Sequence, residues 1–119
     1  MKWIQAFLFV AMGGAAGSML RYGCSVAMSL CSVSGVWPTL AVNAVGSFLI
    51  GLLSGIGLTQ EWSLLLTVGL CGGFTTYSTF SLQTLNLLRE GQPLPALLYA
   101  TATFVVCLTA AWLGMRMGR

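Results

Sequence analysis

Charge is what this chain has least of. Five basic and two acidic residues make up 6% of its 119 positions, against roughly 25% in an ordinary soluble domain. With 57% hydrophobic residues and a mean hydropathy of +0.91, that scarcity excludes a water-soluble globule. Histidine is absent, and the four cysteines, Cys24, Cys31, Cys71 and Cys107, form no CxxC pair, which takes away the usual zinc and haem sites. A cysteine in an apolar helix is ordinarily a small packing residue. The basic residues are scattered, so no polybasic cluster exists for nucleic acid or for lipid headgroups. No connecting stretch is long enough to hold an extramembrane domain or an enzyme site.

What remains is an all-α membrane protein, in which the charges act as punctuation. Lys2, Arg21, Glu61, Arg89, Glu90, Arg116 and Arg119 leave four apolar spans, about 4–26, 37–58, 62–88 and 95–115, each close to the ~20 residues that cross a hydrocarbon core as a helix. One transmembrane domain over 1–119 follows, with both termini on the same side. The first span could pass for a signal peptide, but it carries Arg21 and no small-residue cleavage site, so it reads as a retained helix. The connections, Cys31 to Val36, Thr59 to Glu61 and Arg89 to Pro95, are short, and the last holds the Gly and Pro that break helices. Lys and Arg are split three against two between the two sides. So weak a bias sets no orientation, and an antiparallel, dual-topology homodimer is its natural consequence.

Small residues stand four apart at Gly13 and Gly17, Gly51 and Gly55, and Gly69 and Gly73, a spacing that lets helix backbones approach closely in lipid. Four helices are too few to enclose a pathway, so these faces predict at least a dimer. The second helix carries Thr39, Asn43, Ser47 and Gly51 at intervals of four, and the fourth carries Tyr99, Thr103 and Cys107. Polar groups are costly inside hydrocarbon. Each stripe is either interhelical hydrogen bonding or the lining of a passage, and neither contains a carboxylate. With Glu61 and Glu90 in loops, the inventory suits a small anion better than a cation or proton exchange. Arg21 stands ~26 Å beyond Ile4 along a helix, near the far interface. There it is either a snorkelling anchor or a vestibule charge that concentrates anions.

The third span contains GGFTTYSTFS, Gly72 to Ser81. Paired glycines followed by Thr75 and Thr76 make a poor helix, so a break is expected at 72–76. Unwound backbone at membrane depth survives only where it is buried in protein or lines a cavity, and its freed carbonyls can coordinate a cation.

This stretch closely resembles the GGxTTFSTFS signature of the Fluc (CrcB) fluoride channels. GGAAGSMLRY on the first helix, LAVNAVGSFLIG (Leu40 to Gly51) on the second and the polar stripe of the fourth extend the resemblance over essentially the whole chain. It implies a dual-topology homodimer in a bacterial cytoplasmic (inner) membrane, with two antiparallel pores that export fluoride passively. It further implies a structural sodium ion at the dimer interface, held by backbone carbonyls of Gly72 and Thr75. The pore positions it implies are Asn43, Tyr77, Phe80, Ser81, Tyr99, Thr103 and Cys107, with Arg21 at the vestibule. The positive edge of an aromatic ring is a reasonable neighbour for a small hard anion. Three positions depart from the family's usual residues: Tyr77 adds a hydroxyl to a phenylalanine position, Gln83 replaces a glutamate, and Cys107 replaces a hydroxyl in the polar track. Two other classes compete. A small four-helix multidrug exporter needs a titratable carboxylate in the membrane, which this chain lacks, and a non-transporting accessory protein leaves the hydroxyl-rich break unexplained.

Overall fold

A computed structural model describes residues 2–119, which are almost entirely helical. The elements are α1 (Trp3–Leu30), α2 (Trp37–Gly55), α3 (Gln60–Trp62), a π-helix (Ser63–Cys71), α4 (Gly72–Phe74), α5 (Tyr77–Arg89) and α6 (Pro93–Met117). Three of them, α1 with 28 residues, α2 with 19 and α6 with 25, are long and apolar enough to cross a membrane. The remaining expected span, 62–88, is assembled from shorter pieces. The long axis of the bundle, 51 Å, exceeds the ~40–45 Å of a bilayer with its headgroups.

Helix ends fall where local chemistry puts them. α2 and α6 begin with Pro38 and Pro93 in their first turns, where a missing N–H costs nothing. Thr59 caps α3, so the expected loop at Thr59 to Glu61 is already the start of a helix. α1 runs to Leu30, a turn beyond the expected end at 26, and stops where Ser32 adopts φ 63°.

The glycine pairs that predicted assembly between subunits are used inside this one. A Cβ on Gly13 would strike the Leu65 carbonyl, and one on Gly17 the carbonyl of Leu70 and, at 2.8 Å, the amide of Phe74. From the other side, Gly73 would meet the Gly14 carbonyl at 2.7 Å. On the second seam, Gly51 lies against the Ala111 carbonyl and Gly55 against Gly118. Two helix pairs therefore touch backbone to backbone: α1 with the π-helix and α4, and α2 with α6. Such contact recovers dispersion energy that lipid cannot supply.

The π-helix is the feature that the sequence does not announce. Its nine residues, SLLLTVGLC, hold no proline, and π-helices are usually single-turn bulges that mark functional sites. This one leads directly into the break.

Candidate functional site: the helix break and its groove

Between α4 and α5 only Thr75 and Thr76 leave the helical region, with φ/ψ of −84/157° and −146/111°. The unwinding is narrower than the expected 72–76. Gly72 and Gly73 stay helical because the ladder runs on through Phe74 and Gly73 is packed on the α1 backbone.

Each side of the break is satisfied by specific partners. The Cys71 carbonyl accepts from Thr75 twice, from its amide at 3.1 Å and its hydroxyl at 3.0 Å. Thr76 caps α5: its hydroxyl oxygen accepts from the Thr79 amide at 3.2 Å and donates to the Thr79 hydroxyl at 3.0 Å. Asn43, 8% exposed on α2, matches the peptide groups of Thr76 as another peptide would. Its Oδ1 accepts from the Thr76 amide at 2.7 Å, and its Nδ2 donates to the Thr76 carbonyl at 3.1 Å. Arg21 reaches across from α1, and its Nε donates to the Gly73 carbonyl at 3.1 Å. The carbonyls of Gly72 and Thr75 accept no hydrogen bond among the described residues.

Beside the break lies a groove of about 730 Å³ between α2, α5 and α6. Of the expected pore residues, Asn43, Tyr77, Phe80, Thr103 and Cys107 line it, together with Gly72 and Thr75. The buried hydroxyl of Thr103 has no hydrogen-bond partner among the described residues. Tyr77, 80% exposed, meets Phe80 edge-on with ring centroids 5.6 Å apart. Phe80 in turn lies 5.1 Å from the Tyr99 ring.

Three expected residues are not brought into the groove lining. Tyr99 is buried behind Phe80, and its hydroxyl donates to Gln83 Oε1 at 2.8 Å. The amide of Gln83 also donates to the Gly35 carbonyl at 3.3 Å, which ties α5 and α6 to the turn between α1 and α2. Ser81 points away on the exposed side of α5. Arg21 is half-buried against the break, as described above.

Sequence reasoning missed Thr76 as the partner of Asn43, and it missed Gly46. A Cβ on Gly46 would collide with the Thr75 side chain, so this glycine makes room for the break. Its position three residues after Asn43, on the same helix face, was the available signal.

No cluster of three or more His, Cys, Asp or Glu exists among the described residues. A cation here would have to be held by oxygen. The free Gly72 and Thr75 carbonyls are hard donors of the kind that Na⁺ takes at unwound membrane helices.

The profile of the family described as "CrcB-like protein, Camphor Resistance (CrcB)" matches residues 8–115. The chain belongs to the CrcB family. Every residue of the break and groove falls within that matched stretch. The chain is similar along nearly its whole length to CrcB relatives that carry the name "Fluoride-specific ion channel FluC". One, from Thermus thermophilus, is 46% identical over 97% of this chain and 94% of its own. Another, from Rhodospirillum rubrum, is 44% identical over 92% of each. A third, from Hyphomonas neptunium, is 41% identical over 98% of this chain and 97% of its own.

Proposed function

We propose that this chain is a fluoride-selective channel that lets fluoride leave the cell passively across a bacterial cytoplasmic membrane. The observation that carries the reading is the 46% identity, end to end, with a relative named as a fluoride-specific channel. The chemistry of the groove supports it. An anion that sheds water needs donors and positive ring edges, and the groove is lined by the free hydroxyl of Thr103, the thiol of Cys107 and the rings of Tyr77 and Phe80. Neither glutamate lines it, so no carboxylate there repels a negative ion or exchanges a proton. Selectivity against chloride then rests on the width of the passage and the closeness of these contacts.

In this reading residues 60–89 make the fourth crossing, with a reach of ~45 Å if wound as a helix. The subunit pairs with a second, inverted copy that covers the groove, and the exposed rings of Tyr77 and Phe104 on its lining support such a cover. The carbonyls of Gly72 and Thr75, with their counterparts in the second copy, hold a structural sodium ion. Its positive charge at the centre favours anions on either side.

The test is anion efflux from proteoliposomes, with fluoride compared against chloride. Fluoride efflux that greatly exceeds chloride efflux, and that disappears in Phe80→Ile, is the expected result. Equal efflux of both anions, or none from folded protein, overturns the reading. In the second case Tyr77→Phe shows whether the extra hydroxyl obstructs the passage.

A further inference from the structure

Gly13, Gly17 and Arg21 follow one another at four-residue intervals on α1, and their contacts climb the facing helix in step. Gly13 meets Leu65 and Leu70, Gly17 meets Leu70 and Phe74, and Arg21 meets Gly73. The arginine therefore stands where the backbone seam ends and the chain unwinds. In an unbroken helix the Gly73 carbonyl would accept from the amide of Tyr77. The extended conformation of Thr76 removes that donor, and Arg21 Nε occupies its place at 3.1 Å. The site suits a guanidinium for two reasons. The C-terminal end of a helix carries partial negative charge, and a charged N–H makes a stronger bond to an exposed carbonyl than a neutral one.

From this geometry we infer that Arg21 is a positioning residue of the break. By engaging the Gly73 carbonyl, it decides which carbonyls stay free. Gly72 and Thr75 remain available to a cation, and Gly73 does not. It also fixes the angle at which the second half-helix departs, and hence where Tyr77 and Phe80 stand. The competing role is a free charge that draws anions to the mouth, since the terminal nitrogens of Arg21 have no protein partner among the described residues. The inference deepens the channel reading and rests on it only for its effect on flux.

The sequence permits a direct test, because Gly73–Phe74 is its only Gly–Phe pair. Labelling glycine carbonyls with ¹³C and phenylalanine amides with ¹⁵N isolates the Gly73 carbonyl as a single NMR signal in the full-length, reconstituted protein. Arg21→Gln and Arg21→Lys are compared with wild type, and fluoride efflux is measured at low and high ionic strength. Loss of the bond moves the Gly73 signal upfield in both variants. Both also lose flux, on the order of tenfold or more, equally at either ionic strength. Arg21→Lys keeps the charge and serves alone if Arg21→Gln does not fold.

An unmoved Gly73 signal overturns the inference, as does unaltered flux. So does the pattern of a free charge, in which lysine matches wild type and the deficit of glutamine fades as salt screens it. If wild type conducts no fluoride, the channel reading fails while the carbonyl signal still reports whether Arg21 holds Gly73.

Discussion

The bundle contains two seams made of glycine, and they end differently. Between α2 and α6 the backbones touch at Gly51 and Gly55 on one helix and at Gly114 and Gly118 on the other, and both helices run through unbroken. Between α1 and its partner the contact at Gly13, Gly17, Gly69 and Gly73 is as close, yet the partner is wound as a π-helix and then stops. Glycine therefore does not cause the break by itself. Gly73 is small because α1 is there, whereas a Cβ on Gly72 would meet nothing closer than 4.0 Å. What stops the helix is Thr75 and Thr76, and what holds it open is side chains from two neighbouring helices. The α2–α6 seam offers no such partners, and its helices continue.

This contrast can be broken by substitution. The largest effect is expected for Gly17→Ala, whose methyl group has only backbone to push against. It should cost about 3 kcal/mol or more, seen as loss of the folded peak when heated detergent samples are run on size-exclusion chromatography. Gly23→Ala, with nothing within 4 Å, is the control and should melt no lower than wild type. Next comes Asn43→Ala, which leaves the part-buried amide of Thr76 without an acceptor and takes one donor from its carbonyl. A loss of about 2–3 kcal/mol, together with loss of fluoride efflux, is expected. If Asn43→Ala melts like wild type, the break does not need its partner on α2.

Thr76→Ala removes the cap of α5 and should lower stability by about 1 kcal/mol in the same assay. The smallest change in stability belongs to Thr103→Val. Its hydroxyl has no partner among the described residues, so an isosteric replacement should change stability by no more than about 0.5 kcal/mol while fluoride efflux falls. Unchanged efflux would remove Thr103 from the pathway.

How far the sequence reached follows from the range of each interaction. The unwinding at Thr75 and Thr76 is written locally, in two successive β-branched residues. The apolar lengths of α1, α2 and α6 are equally local. The π-helix was invisible because SLLLTVGLC would serve as well for an α-helix. The glycine pairs were visible, but not whether they face a neighbour within the subunit or beyond it. Arg21 and Gly73 lie 52 residues apart, and Asn43 and Thr76 lie 33 apart. A single sequence gives each polar residue a depth in the membrane without giving it a partner. Tyr99 shows the same limit. Its place in a stripe every four residues allowed either an interhelical hydrogen bond or a place in the lining of a passage, and the proton of its hydroxyl is committed to Gln83 on α5.

Asn43 lends its amide to a chain segment to which it does not belong. Seen from α5, the side chain of α2 is a peptide unit borrowed from elsewhere, inserted into the ladder at one of the rungs that the threonines left empty. A joint built this way is stiff, since both rails of the ladder are pinned at the same rung. The angle between the two half-helices is therefore a property of the subunit's own architecture, set before any ion enters.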